Sequence, residues 1–171
     1  VILNQSYVDS AKQRPSTNGW TRDSQLSGNR AQVWEKDGEA VVVHRGSAGA
    51  KDFLVTDVAL ASGNLKSTNR YKHAKKVEKQ TAEKYGKVSE SLGHSLGGSL
   101  TSASKADHKF TVNRGAGLAD IGAKRGKNTT DVRSKFDLPS FLSAGNIGGK
   151  VKTAAGFSHN INKTIRGAFK M

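Results

Sequence analysis

The segment Gly93-His94-Ser95-Leu96-Gly97-Gly98 contains a G-x-S-x-G pattern, which is typical of a nucleophile elbow. In such an elbow a strand turns sharply into a helix and exposes the hydroxyl of one strained serine. Glycines two residues before and after the serine avoid a collision across the turn. The pattern predicts Ser95 as a nucleophile for ester hydrolysis, with the backbone N–H of Leu96 facing an oxyanion. A glycine-rich loop would match the same letters by chance, and the chain has 19 glycines.

The stretches on either side of this pattern predict the alternating strands and helices that an elbow needs. Residues Arg30 to Glu35 and Glu39 to His44 flank Lys36-Asp37-Gly38, which predicts a hairpin with glycine in its tight turn. The pattern further predicts a helix over 64–85, a strand over 87–92, a helix over 96–105 and strands over 109–113 and 132–136. This alternation predicts a single α/β domain over 1–171, with a mostly parallel sheet flanked by helices.

Other segments predict irregular structure. Residues 1–29 are polar and rich in turn formers, and residues 114–129 and 143–156 are rich in glycine and lysine, so these segments are predicted as loops. The elbow strand is unusually polar for a central parallel strand, because a buried Glu90 is costly unless it is paired. Its polarity predicts either a position near the sheet edge or a reduced sheet.

Composition limits the classes of function. The chain has no cysteine, which excludes disulfides and thiolate metal sites, and no run of 18 apolar residues. It carries 28 Lys and Arg residues against 14 acidic residues, a net charge of +14, which indicates an anionic partner surface such as lipid headgroups or nucleic acid. The start Val1-Ile2-Leu3-Asn4 lacks an initiator methionine and a signal-peptide layout, which indicates a fragment or a processed product.

Four separated blocks resemble, in the same order, the class 3 (fungal-type) lipase family of the α/β-hydrolase superfamily. They are the apolar strand ending in Arg-Gly-Ser (41–47), the lid segment (51–57), the elbow (93–98) and a late pair formed by Asp137-Leu138-Pro139 and Ser158-His159. The resemblance covers residues 31–161 and implies an α/β-hydrolase fold. Because the chain is shorter than a typical member, a reduced version of that fold is expected.

The resemblance implies a catalytic triad of Ser95, Asp137 and His159, in the Ser–acid–His chain order of α/β hydrolases. Asp131 competes with Asp137, because the two bracket the predicted strand Val132–Phe136. A catalytic acid should follow the C-terminal end of a strand, which selects Asp137 and leaves Asp131 as a turn residue before the strand. Without the resemblance, His159 would be interpreted as a solvated loop residue. Compared with His159, weaker candidates for the general base are His44, His73, His94 and His108.

Supporting roles also follow from the resemblance. Ser47 is implied as the second oxyanion-hole residue, through its backbone N–H and hydroxyl, beside the N–H of Leu96. Asp57 is implied to hold Ser47 in place, although an ordinary surface or capping carboxylate fits that position as well. The apolar face of a short lid is implied at Phe53, Leu54 and Val55, with packing against the core as the alternative.

Two classes of function follow. The leading hypothesis is a serine esterase or lipase that hydrolyses acyl esters of lipids through an acyl-enzyme, with no cofactor and no metal. The alternative is a basic structural or binding protein on a degenerate lipase scaffold, attached to a membrane or non-specifically to nucleic acid, for example in a virus particle. A basic amphipathic tail at 161–171 either contributes to binding of an anionic membrane or packs on the sheet. Neither the compartment nor the oligomeric state is predicted.

Overall fold

An eight-stranded sheet forms the centre of the computed structural model, which describes residues 2–8, 10–47, 64–115, 126–134, 150–154 and 165. The strands are β1 (Ser16–Thr17), β2 (Trp20–Arg22), β3 (Ala31–Lys36), β4 (Glu39–His44), β5 (Glu90–His94), β6 (His108–Val112), β7 (Thr129–Ser134) and β8 (Lys150–Ala154). Their spatial order equals their chain order. Strands β1 to β4 pair antiparallel and β4 to β8 pair parallel. The predicted α/β fold is confirmed.

The hairpin of β3 and β4 joins the antiparallel part of the sheet to the parallel part. Its pairing runs from Ala31 opposite His44 to Lys36 opposite Glu39. The two turn residues, Asp37 and Gly38, have φ values of 50° and 81°. Two consecutive left-handed residues give a turn whose twist matches that of the strands, so the hairpin predicted from these residues is confirmed.

The described segments include the α-helices α1 (Ile2–Gln5), α2 (Asn69–Tyr85) and α3 (Leu96–Ser102). Short 3₁₀ helices span Ser10–Lys12 and Leu65–Ser67. Helix α2 begins after Thr68, whose side chain accepts a hydrogen bond from the N–H of Tyr71 at 3.1 Å, and it ends at Gly86, with φ of 82°. The predicted helix over 64–85 is thus confirmed over most of its length. No helix in the described segments is long and apolar enough to cross a membrane.

Apolar side chains pack on both faces of the sheet. One cluster lies under α2 and consists of Ala31, Val33, Val42, Val77, Val88 and Ala106. The cluster on the other face includes Leu3 of α1 and consists of Leu3, Trp34, Val41, Val43, Val112 and Val132. Ile165, the one described residue of the tail, is partly buried against this second cluster. At Ile165 the chain therefore packs on the sheet.

The elbow strand β5 is central, because it pairs with β4 on one side and β6 on the other. The alternative of a position near the sheet edge is therefore wrong. Glu90 is tolerated because it begins the strand and is only half-buried; its burial nevertheless raises the pKa of its carboxyl. The buried Ser91 donates a hydrogen bond to the hydroxyl of Thr101 at 3.3 Å, so its polar group is satisfied.

Two segments predicted as loops contain regular structure. Residues 1–29 include α1, β1 and β2, and the predicted loop over 143–156 contains β8. Strand β8 is an exposed edge strand with the sequence Lys-Val-Lys-Thr-Ala, and charged residues are common on such edges because they discourage pairing with other chains. Strand β7 also begins earlier than predicted, at Thr129 rather than Val132.

Candidate active site

Ser95 lies at the sharp turn between β5 and α3. Its φ of 55° and ψ of −126° form a backbone conformation that residues other than glycine rarely adopt. The surroundings hold this strained conformation: the N–H of Ser95 donates to the carbonyl of Val112 at 3.1 Å, and its carbonyl accepts from the N–H groups of Gly98 and Gly115, both at 2.9 Å. The strand–turn–helix geometry predicted for the elbow is confirmed.

The glycines of the elbow are required by close contacts between backbones. A Cβ on Gly93 would overlap the carbonyl of Gly97, and a Cβ on Gly97 would overlap the carbonyl of His44. A Cβ on Gly46 would lie 2.8 Å from the carbonyl oxygen of His94 and 3.3 Å from Cβ of Ser95. The segment after β4 therefore packs directly against the elbow, and it brings the neighbourhood of Ser47 next to the serine.

We expect Gly97→Ala to destabilise the protein strongly, because the added methyl meets backbone atoms of β4 that cannot move aside as a side chain would. Over-packing of this kind costs about 3 kcal/mol, which chemical denaturation would measure. Gly28→Ala is the matched control, since nothing lies within 4 Å of a Cβ at Gly28. Equal unfolding free energies for the two variants would contradict the tight contact between elbow and β4.

The loop that follows β4 is held by residues from two other parts of the chain. The guanidinium of Arg70, in the first turn of α2, donates to the carbonyls of Arg45 and Gly46. The N–H of Gly46 donates to the hydroxyl of Tyr7 at 3.2 Å. Sequence reasoning missed both Arg70 and Tyr7. Arg70 shares the buried side of α2 with Ala74, Val77 and Thr81. The sequence signal for its role is that a charged residue occupies a position in the helical repeat where apolar residues are expected.

The end of β4 is also fixed by a buried hydrogen bond between a histidine and a glutamate. His44 is fully buried, and its Nε2 lies 3.1 Å from Oε1 of Glu78. Lys75 contacts the other carboxylate oxygen at 3.2 Å. Burial by itself would raise the pKa of Glu78, but the hydrogen bond from His44 and the nearby charges outweigh it and lower that pKa. His44 is thus engaged in holding β4 to α2, in keeping with its low rank as a general base.

The other described histidines lie in different environments. Nδ1 of His94 is 2.7 Å from the hydroxyl oxygen of Tyr7, and the imidazole is mostly buried. His73 is half-buried on α2, where burial and the charges of Arg30 and Arg70 lower its pKa. His108 is exposed at the first residue of β6, the end of that strand farthest from the elbow.

Asp131 lies inside β7, level with Thr111 of β6 and Gly93 of β5. The prediction that it is a turn residue before the strand is wrong. Its carboxylate is buried and accepts a hydrogen bond from the hydroxyl of Thr111. The sequence did not predict that Asp131 is buried in a strand, because the start of β7 is polar and resembles a turn.

The remaining predicted site residues lie outside the residues that the structure describes. They are the triad members Asp137 and His159 and the lid and support residues Phe53, Leu54, Val55 and Asp57. The structure does bring the segment of Ser47 together with Ser95 and Leu96. Within the described segments, no group of three or more His, Asp or Glu side chains is arranged to hold a metal ion.

A family model described as phospholipase-like, a Tle-like phospholipase domain, matches residues 6–157. The matched range contains the elbow, both candidate acids and the segment after β4, and it ends two residues before His159. No curated protein matches the chain.

Proposed function

The chain belongs to the family of Tle-like phospholipase domains, and from this membership we propose that it hydrolyses acyl esters of phospholipids with Ser95 as nucleophile. Membership of this family supports the hydrolysis of lipid esters as the general activity of the chain. The observation that carries the serine chemistry is the strained conformation of Ser95 between a parallel strand and a helix, which is the geometry of a nucleophile elbow.

In the proposed reaction, the hydroxyl oxygen of Ser95 attacks the carbonyl carbon of the ester while His159 accepts its proton. The N–H groups of Leu96 and Ser47 stabilise the negative oxygen of the tetrahedral intermediate. The C–O bond to the lysophospholipid then breaks, and the leaving oxygen takes the proton from His159. Water, activated by the same histidine, hydrolyses the acyl-serine and releases a fatty acid. Asp137 fixes the tautomer of His159.

The topology supports this choice of acid and base. Strands β7 and β8 run parallel to β5, so all three end at the same edge of the sheet. Neighbouring strands are about 4.8 Å apart, which places the end of β8 about 14 Å from that of β5. His159 follows Ala154 by five residues, which span up to about 17 Å. Asp137 follows Ser134, the last residue of β7, by three residues.

We also propose the closer kinship with class 3 lipases and the supporting roles that it implies. The order of the four sequence blocks supports it, as does the contact of Gly46 with the elbow. In this proposal Phe53 and Leu54 belong to a lid over the site, and Asp57 holds Ser47.

Product analysis tests the reaction type. We expect incubation with phosphatidylglycerol or phosphatidylethanolamine micelles to yield fatty acid and lysophospholipid in equal amounts, because an acyl-serine forms only from a carboxyl ester. Chromatography of the lipid products would measure this. Diacylglycerol or phosphatidic acid as the product would mean that a phosphate ester is cleaved instead, and it would contradict the proposal.

An anionic membrane surface is the proposed partner. The outer side of α2 and its approach expose a series of lysines, namely Lys66, Lys72, Lys76, Lys79 and Lys84, in a chain of net charge +14. Basic residues near an anionic bilayer contribute about 1 kcal/mol each at low salt. This charge would hold the protein at the surface that contains its substrate.

We expect the Ser95→Ala variant, which cannot consume the lipid, to bind anionic vesicles more tightly than neutral ones, with an affinity that falls as salt rises. Vesicle sedimentation would measure this. Exchanging Lys72 and Lys76 for glutamine should weaken binding more than exchanging Lys127 and Lys150, which are exposed elsewhere. Equal affinity for both vesicle types would contradict the membrane partner, and displacement from vesicles by DNA would favour the nucleic-acid alternative.

A further inference from the structure

The peptide group between Gly46 and Ser47 is oriented by a buried arginine. Arg70 is 4% exposed, and its Nη2 donates to the carbonyl of Arg45 and, at 3.4 Å, to that of Gly46. In a trans peptide the carbonyl and the following N–H point in opposite directions. Because the carbonyl of Gly46 is directed at α2, the N–H of Ser47 is directed away from α2.

The preceding peptide group is held from the other face of the sheet by Tyr7. The hydroxyl oxygen of Tyr7 accepts a hydrogen bond from the N–H of Gly46 at 3.2 Å. The same oxygen is 2.7 Å from Nδ1 of His94, the residue immediately before Ser95. The two rings also meet edge to face, with 5.6 Å between centroids.

The tyrosine hydroxyl is protonated in this position. Burial raises the pKa of Tyr7, and this effect outweighs the opposing influence of the Gly46 hydrogen bond and of Arg45 and Arg70. A neutral phenol has one hydrogen and free lone pairs. Its oxygen accepts from the N–H of Gly46 and also forms a hydrogen bond with Nδ1 of His94, so a single hydroxyl links the loop after β4 to the elbow.

We propose that Tyr7 is a positioning residue for the oxyanion hole, joining the loop of Ser47 to the elbow of Ser95 while Arg70 fixes the same loop from α2. This inference rests on the proposed function, since it assigns Ser47 a role in the transition state. It gives the N-terminal segment, which carries Tyr7 close in sequence to the core residue Leu3, an indirect part in the chemistry. Tyr7 acts through Gly46 and His94 and not on the substrate.

The test is Tyr7→Phe, which keeps the ring in the core and removes only the linking hydroxyl. We expect kcat for phospholipid hydrolysis to fall about 10- to 100-fold, while KM stays within about twofold of the wild-type value. The reason is that the oxyanion hole stabilises a charge that is present only in the transition state and not in the bound substrate. Tyr85→Phe is the matched control: it removes a hydrogen bond of 2.9 Å to Asp23, and it lies at the end of α2 that is remote from Arg70. It should lower stability without changing kcat.

Two results separate this proposal from the function on which it rests. If the Ser95→Ala variant hydrolyses phospholipid at the wild-type rate, the proposed function itself is overturned. If hydrolysis is lost in Ser95→Ala but kcat is unchanged in Tyr7→Phe, only the role of Tyr7 is overturned. If Tyr7→Phe does not fold, Arg70→Lys gives the same test from α2: it keeps the charge but loses the planar fork, and a fall in kcat with constant KM is again expected.

Discussion

We expect the Ser95→Ala variant to lose phospholipid hydrolysis by about 10⁴-fold or more in kcat while it keeps its fold. Without the hydroxyl no acyl-enzyme can form, and water must attack the ester unaided. Alanine has the same Cβ as serine, so the strain at φ of 55° is unchanged. Initial rates of fatty-acid release, together with a melting curve, would measure both properties.

Ser102→Ala is the matched control for this variant. Ser102 ends α3, and its hydroxyl donates to the carbonyl of Gly98 within the same helix at 2.9 Å. Loss of such a back-bond changes helix stability little, so activity should stay within about twofold of wild type. If Ser95→Ala hydrolyses the lipid at the wild-type rate, the nucleophile has been misassigned.

The second large effect is expected at the base and the acid. His159→Ala should be as damaging as the serine variant, because the triad acts as a unit and loss of the base leaves the hydroxyl unactivated. Asp137→Asn should lower kcat less, by about 10²- to 10⁴-fold, since it alters the tautomer and charge of the pair without removing the base. Steady-state kinetics of the two purified variants would measure the difference.

Asp131→Asn is the control for the acid. Its amide oxygen can still accept the hydrogen bond from Thr111, and its position within β7 lies before the edge where the strands end. Activity should remain within about tenfold of wild type, with a loss of about 1–3 kcal/mol in unfolding free energy from the altered buried group. If kcat is unchanged in Asp137→Asn but falls strongly in Asp131→Asn, the catalytic acid is Asp131 and not Asp137.

The features predicted correctly from sequence are those whose cause is local. Asp37-Gly38 favours a left-handed two-residue turn wherever it stands between strands, so the hairpin could be read directly. Gly93 and Gly97 flank a serine at the spacing that a strand-to-helix turn requires, and the contacts of both with backbone carbonyls explain why. Helix α2 followed from its apolar spacing and from Gly86.

The features that were missed depend on distant parts of the chain. The hydrogen bond between Gly46 and Tyr7 joins residues 39 positions apart, and nothing near Tyr7 in the sequence marks it. Strand β8 has alternating lysines and few apolar residues, so it exists through its pairing with β7 and not through its own pattern. Asp131 looked like a turn residue because its buried partner, Thr111, comes from another strand. The lid and the roles of Asp137 and His159 stay predictions.

The most direct test of the central claim is covalent labelling with a fluorophosphonate probe, followed by mass spectrometry of the intact protein and its peptides. An activated serine beside an oxyanion hole displaces fluoride and keeps the phosphonyl group. The account predicts one adduct per chain, located on Ser95 and absent from the Ser95→Ala variant. No adduct on the folded wild type, or an equal adduct on Ser95→Ala, would contradict it.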